Sequence, residues 1–551
     1  MTSPPSARAA RGTPLADDAA LLSDELRAVR APLARAILAH ALALGIAADL
    51  LLRDGFTGVG YPIWVLVLAM SALSLVWRDG RRLPGEVAGW LATAVLFGAG
   101  LAWRDAEQLQ VLDFLATLLA LGMAGIALAD ARAALAAARL RDTLWAAAAV
   151  IRSTAFGVVP LALRDVALPG NREELRGRFR PAVRAALIAL PVMLLFGALL
   201  RGADPVFASM VSLPALDVES LVTHVLVTGF FAWIVAGWAR GALMADAARP
   251  RAPEQWPVGL GLLDVTAVLG TLDALFALYV VTQLGWFFGG ERFLHERTGL
   301  TVAEYAREGF FQMVWVAVLV VPVLLGTRAM LRPGRALARR HTALALPLLG
   351  LLGVMMVSSA LRLRLYVHYY GLTTDRLYAL VFMGWLTVVL VWLTFTVLRG
   401  AGRSFVAGAT VSGLATLAAL NVAVPDAIVA RANIARATRA TDGAAGLDVT
   451  HLARLSGEAA PLALAAVFAP STGAPGSPER VMSDRTRCEA AGWLLARRRL
   501  SAWDGQREEQ STAWRRWNFG EASARRLTRT HGAALLEVQH TTCPRLRAKS
   551  R

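Results

Sequence analysis

The sequence predicts an all-α fold: a polytopic helical membrane protein with about eleven transmembrane helices and a small, mainly helical C-terminal extramembrane domain. Three observations predict it. Long apolar runs recur from Pro32 to Val424, many of them near the ~20 residues that cross a ~30 Å hydrocarbon layer. Charged residues make up only 18% of the chain, against about 25% in a soluble domain. The runs are continuous rather than alternating, so they are not barrel strands, and helices are left as the way to satisfy backbone polar groups in lipid.

Taken in order, residues 1–31 lack the apolar centre of a signal peptide and read as a disordered cytoplasmic tail. Apolar windows of ~19 residues place spans at 33–52, 59–77, 87–103, 109–129, 183–200, 221–243, 265–288, 309–327, 343–360, 377–398 and 405–424. Together they form a membrane domain, 32–424. One segment is ambiguous. "TLWAAAAVIRSTAFGVVPLAL", Thr143 to Leu163, is long enough to cross, but Arg152 sits at its middle. A central Arg costs roughly 2.5–3.5 kcal/mol, so 133–181 is read as an amphipathic interfacial segment.

Loop arginines set the orientation. One set of loops, holding Arg78, Arg81, Arg82, Arg328, Arg332 and Arg340, is richer than the set holding Arg53, Arg104, Arg201 and Arg292. The richer side is cytoplasmic, which puts the N-terminus inside and the C-terminal domain outside. The net charge of +17 is scattered between spans rather than gathered on a soluble face, so no nucleic-acid partner is expected.

From Pro425 the composition changes, and 425–551 reads as one small domain. Two or three amphipathic helices come first. "STGAPGSPE" is a linker, "RTRCEAAGWLLARRRL" and "EEQSTAWRRWNFGEASARRL" are two more helices, and "ALLEVQH" reads as a short strand. The two cysteines, Cys488 and Cys543, both lie in this domain. They are read either as a disulfide in an oxidising compartment or as two separate thiols, because sequence does not give their separation.

Catalytic signatures are missing: there is no P-loop, HExxH, CxxC pair or convincing GxSxG, and the eight histidines show no zinc-like spacing. No enzyme, cofactor or metal is expected. Asp273, near the middle of its span, is the best intramembrane candidate, because a carboxyl stranded in lipid is costly. Asp113, His224, His40 and Asp49 lie nearer span ends, where solvent makes them cheap. On the outer side, "TGLTVAE" (Thr298–Glu304) and "YGLTTDR" (Tyr370–Arg376) share Gly-Leu-Thr at the start of a span. Thr301 and Thr373 are positioned to cap those helices. Glu304 and Glu308 complement in charge the basic Arg362, Arg364, His368 and Arg376, with Tyr366 one turn from Arg362. Two readings stay open: an ion-pair network with tyrosines at the headgroup level, or a basic, aromatic-lined site for an anionic lipid or small anion. Such a site predicts transport or binding of a small or lipid-like anion, with Asp273 coupling or gating it; the alternative is a non-catalytic scaffold or sensor whose C-terminal domain binds an envelope partner.

"RGADPVF", "QLGWFFGG", "LTVAEYAREGFF", "LRLRLYVHYYGLTTDRLYA", "NVAVPDAIVARANIAR" and "WRRWNFGEASARR" together resemble a bacterial multi-pass membrane family catalogued as domain of unknown function 4153/4173. The resemblance runs over most of Pro191 to Arg526. It implies a bacterial inner-membrane protein with an extramembrane C-terminal part, and it brings no catalytic residue.

Overall fold

The computed structural model describes residues 14–129, 140–166, 218–244, 259–298, 310–396, 405–439, 447–469, 484–507 and 513–549, and the single positions 185, 189, 193, 196 and 200. The helices, in order, are α1 (Pro14–Leu52), α2 (Gly60–Arg78), α3 (Gly85–Trp103), α4 (Glu107–Ala129), α5 (Leu140–Phe156), α6 (Val218–Leu243), α7 (Leu262–Thr298), α8 (Phe310–Ala329) and α9 (Arg335–Tyr370). They continue with α10 (Thr374–Thr396), α11 (Phe405–Ala423), α12 (Pro425–Arg439), α13 (Val449–Arg454), α14 (Ala460–Phe468), α15 (Asp484–Arg507), α16 (Phe519–Thr530) and α17 (Gly532–Lys549). Among the described residues there is no strand, only an isolated parallel bridge between Leu260 and Leu331.

Ten helices among the described residues are long and apolar enough to cross a membrane: α1 to α4 and α6 to α11. They carry large outward-facing apolar side chains, among them Leu96, Leu115, Val225, Leu275 and Leu319, the pattern of helices whose outer face meets lipid. The expected span at 183–200 lies outside the described residues apart from its five single positions. α5, with Arg152 exposed, is not among the ten. Two expectations are corrected. Residues 14–31, read as part of a disordered tail, belong to α1, where Ala, Leu and Glu favour helix. Ala534–His540, read as a strand, lies inside α17. Ala, Leu, Glu and Gln are strong helix formers, and a lone strand leaves its backbone groups unpaired. The helix instead places Leu535 fully in a core.

The chain divides into two compact units. The first comprises Met1–Arg53, Met70–Leu83 and Ala149–Asp246, and its close packing rests on small residues. A Cβ on Gly237 would sit 2.4 Å from the Thr154 carbonyl oxygen, and one on Gly241 2.3 Å from Ser153 Oγ. Ser153 Oγ donates to the Gly237 carbonyl at 3.0 Å. "GWARG" is thus a small-xxx-small face on α6 that lets α5 approach backbone to backbone. Polar contacts within the unit include Arg240 with Asp165 at 2.7 Å, His224 with Asp49 (2.5 Å) and Arg53 (2.5 Å), and Arg81 Nη2 donating to the Leu243 carbonyl at 3.0 Å.

The second unit comprises Asp54–Ala69, Pro84–Ala148 and Ala247–Arg551. One of its cores joins α7, α8, α9 and α10 through Leu269, Leu324, Leu348, Leu352, Met383 and Leu393. Leu260 N donates to the Met330 carbonyl and Arg332 N to the Leu260 carbonyl, at 2.7 and 3.1 Å. α7 and α9 therefore leave one shared bridge and pack along each other. They have 37 and 36 residues, and each is followed by Gly-Leu-Thr. A second core belongs to the C-terminal helices, built by Val429, Leu452, Leu455, Leu464, Val467 and Leu535. It includes Leu372, from the turn between α9 and α10.

Candidate functional site at the docked span ends

Within the second unit, the C-terminal helices are held on the ends of α3, α4, α10 and α11 by polar ties that span hundreds of residues. Between α11 and α12 the chain reverses at Val424, whose φ of 56° makes it the sole positive-φ non-glycine among the described residues. A β-branched residue in that region costs on the order of 1–2 kcal/mol. Pro425 then opens α12 with its φ already helical. The reversal puts Asn421 at the end of a span and Asp426 in the first turn of the next helix, where the helix dipole favours a carboxylate.

Each of these residues finds a distant partner. Asn421 Nδ2 donates to Asp113 Oδ1 at 2.8 Å. Asp426 accepts from Ser456 N at 2.8 Å and from Thr374 Oγ1 at 3.4 Å. Asp105 accepts from Gly457 N at 2.6 Å, and Arg104 pairs with Glu458 at 3.2 Å. From the far end of the chain, Asn518 Nδ2 donates to the carbonyls of Leu101 (3.0 Å) and Arg104 (2.7 Å). Its Oδ1 accepts from Glu521 N at 3.1 Å, capping α16. Arg515 reaches Asp54 at 3.5 Å, and Val59 N donates to the Trp517 carbonyl at 3.1 Å. The segment "WRRWN" is therefore a docking strip against the loop before α2 and the end of α3.

Among the described residues, polar atoms of this cluster that are buried without a hydrogen-bond partner include Asp113 Oδ2, Glu458 Oε2, Ser456 Oγ and the Tyr378 hydroxyl. Asp113 is fully buried. Its Oδ2 lies so close to Gly100 that a Cβ there would meet it at 2.1 Å, so this approach needs glycine. Burial holds the Glu458 carboxyl above the usual carboxylate range. Arg104 opposes that shift, while Asp105 and Asp426 add to it. No group of three or more His, Cys, Asp or Glu suited to a metal ion occurs among the described residues.

The Arg/Tyr hairpin is built differently. Arg376 stacks over the Tyr366 ring at 4.1 Å and donates to the Gly371 carbonyl. Tyr366 and Tyr370 rings lie 4.9 Å apart, and Arg376 N donates to Thr373 Oγ1 at 3.4 Å, the expected cap. Arg364 is exposed, while Arg362 is buried at 5% exposure. The side chain of His368, and Glu304 and Glu308 altogether, lie outside the described residues. Structure thus brings Tyr366 and Arg376 together and leaves Arg362 in the helix body. The Gly-Leu-Thr turn also meets the C-terminal helices. Leu372 N donates to Asn433 Oδ1 (2.8 Å), and Asn433 Nδ2 donates to the Leu372 carbonyl (2.7 Å). Gly371, at φ 82°, leaves no room for a Cβ beside Asn433 Oδ1. Asp273 is half-buried on α7, and its Oδ1 has no hydrogen-bond partner among the described residues.

Sequence reasoning missed Arg104, Asn421, Asp426, Asn433, Glu458 and Asn518 as a set, and treated Asp113 as a cheap end-of-span residue. A signal was present: Asn421, Asp426, Asn433 and Asn518 all sit in the motifs "NVAVPDAIVARANIAR" and "WRRWNFGEASARR".

Among the C-terminal helices lies a cavity of about 250 Å³, bounded by α13, α14, α15 and α16. Cys488 on α15 and Cys543 on α17 form a disulfide with Cα atoms 5.5 Å apart, which fixes the α15 wall to α17.

Fold and site together define a polytopic, all-helical membrane protein whose C-terminal helices are pinned to its span ends. The chain belongs to the family described as Domain of unknown function (DUF4153), whose model matches residues 91–466. The match takes in Arg104, Asp113, Asn421, Asp426 and Glu458 and stops before the "WRRWN" strip. No curated protein and no solved structure matches the chain.

Proposed function

We propose that this protein is a non-catalytic membrane scaffold or sensor, in which the membrane helices hold the C-terminal helices as a fixed binding platform at one membrane face. The observation that carries this reading is the set of long-range ties. Arg104 and Asp105 in the loop between α3 and α4 hold Glu458 and Gly457, Asp113 on α4 holds Asn421, and Asn518 reaches back to Leu101 and Arg104. Such ties keep a layer of helices in one orientation, as a binding surface requires. The anion-transport reading has less support, because Arg376 is engaged by Gly371 and Tyr366 and Arg362 is buried. The platform faces outward from a bacterial inner membrane in this reading, with the N-terminus inside. The loop arginines and the disulfide both support that side.

The test is retention. Purified full-length protein should carry a bound molecule that is lost when the platform is loosened by Asn433→Ala with Asn518→Ala, while Asp273→Asn retains it. Saturable anion uptake in reconstituted vesicles, abolished by Asp273→Asn, would replace the scaffold reading with transport. For sidedness, a membrane-impermeant thiol reagent should label Cys488 in intact cells after reduction. Labelling only after lysis would reverse the orientation.

A further inference from the structure

The cavity among the C-terminal helices has the features of a ligand site. Its walls are small where they would need to be large to fill the space: Ala453, Ala459, Ala460, Ala463 and Ala490 all face it. At about 250 Å³ it exceeds the ~150 Å³ apolar cavity that takes up benzene. It also cannot close by a shift of its floor. The floor is the Leu455–Ala460 segment, held by Ser456 N on Asp426 and Gly457 N on Asp105. Opposite, the disulfide ties down α15, which supplies Ala490, Trp493 and Leu494.

The charged side chains that a ligand can reach lie at the mouth of the cavity. At the rim Glu521 and Arg525 pair with each other, each about a third exposed. A rim holding one charge of each sign matches a zwitterionic head group, with phosphate to Arg525 and ammonium to Glu521. Trp493, 46% exposed, adds the amphipathic ring common where an apolar body meets a wet boundary. The floor adjoins Asp426, which immediately follows the last span, so membrane lipid is the amphiphile at hand.

We propose that this cavity binds one acyl chain of a zwitterionic membrane phospholipid, with the Glu521–Arg525 pair at the rim taking its head group. This rests on the reading of the C-terminal helices as the binding part of the molecule, and it names the ligand class.

The test uses full-length, disulfide-intact protein in nanodiscs containing phosphatidylethanolamine with a diazirine-bearing acyl chain. Photolysis and peptide mapping should place label on 452–463 and 490–494, besides the expected label on lipid-facing spans. Unlabelled lysophosphatidylethanolamine should compete the cavity label and spare the span label. Ala463→Phe and Ala490→Phe, which fill the cavity from different helices, should each lower the cavity label several-fold. The Cys488–Cys543 bond and the tryptic pattern should stay unchanged. Arg525→Gln should lower it less. Label confined to the spans, or cavity label that neither competitor nor filling variant reduces, would overturn the proposal. If that happens while the bound molecule of the retention experiment persists and proves to be a protein, the platform reading stands and the lipid assignment alone falls.

Discussion

The hairpin around Gly371 and the junction around Asp426 are both polar regions at a span end, and they are wired on different scales. In the hairpin, Arg376 closes on Thr373, Gly371 and Tyr366, none more than about ten residues away. At the junction the partners are 308 residues apart for Asn421 and Asp113, 354 for Arg104 and Glu458, and 417 for Asn518 and Leu101. Local wiring shapes a turn and spends its donors there. Distant wiring decides which helices belong together. The charge-rich hairpin attracts the eye in the sequence, yet the quieter Asn and Asp residues position the C-terminal helices.

The comparison breaks first at Asn421. Asn421→Leu leaves a fully buried Asp113 without its one donor, and should lower stability by about 2–4 kcal/mol in thermal unfolding of the detergent-solubilised protein. Adding Asp113→Leu should recover most of that loss, since removing both partners leaves nothing unpaired. An undisturbed single variant would show that the pair does not hold α4 to α11. Next is Asn518→Ala, which removes a cap and two carbonyl contacts together. It should cost about 2–3 kcal/mol and speed proteolysis within 447–549, with the spans intact. Equal cleavage rates would mean that the strip docks without it.

Glu458 sharpens the comparison through pH. Its folded carboxyl is held above its ordinary value of 4.5. The neutral form is therefore favoured on folding: its contribution is fully present below 4.5 and is lost as pH rises through the higher folded value. Glu458→Gln should flatten that part of the stability–pH curve while losing the Arg104 ion pair. An unchanged curve would remove Glu458 as its source. The smallest effect belongs to the hairpin. Arg376→Lys keeps the charge but loses the planar stack on Tyr366, worth less than about 1 kcal/mol, and should leave tail proteolysis unaltered.

Helical spans were legible because length and apolarity alone define them, as in "LPLLGLLGVMMVSS" inside α9. The Thr373 cap was legible because its donor lies three residues on. α17 was not: its Leu and Val spacing suits a short strand as well as a helix, and the choice is made by Leu535 entering a core built by α12 to α15. The junction was illegible because an asparagine carries no mark of which carbonyl it will meet. Asn433 binds the backbone of Leu372, and nothing in the side chains of either stretch announces that pairing.

The 414 residues separating Arg104 from Asn518 also have a meaning in time. At ~5–20 residues per second, a ribosome takes roughly 20–80 s to travel that distance. Throughout that interval the carbonyls at the end of α3 face water or lipid headgroups. The junction can close only after "WRRWN" has been made, so a chain cut short anywhere before it leaves the end of α3 without these partners.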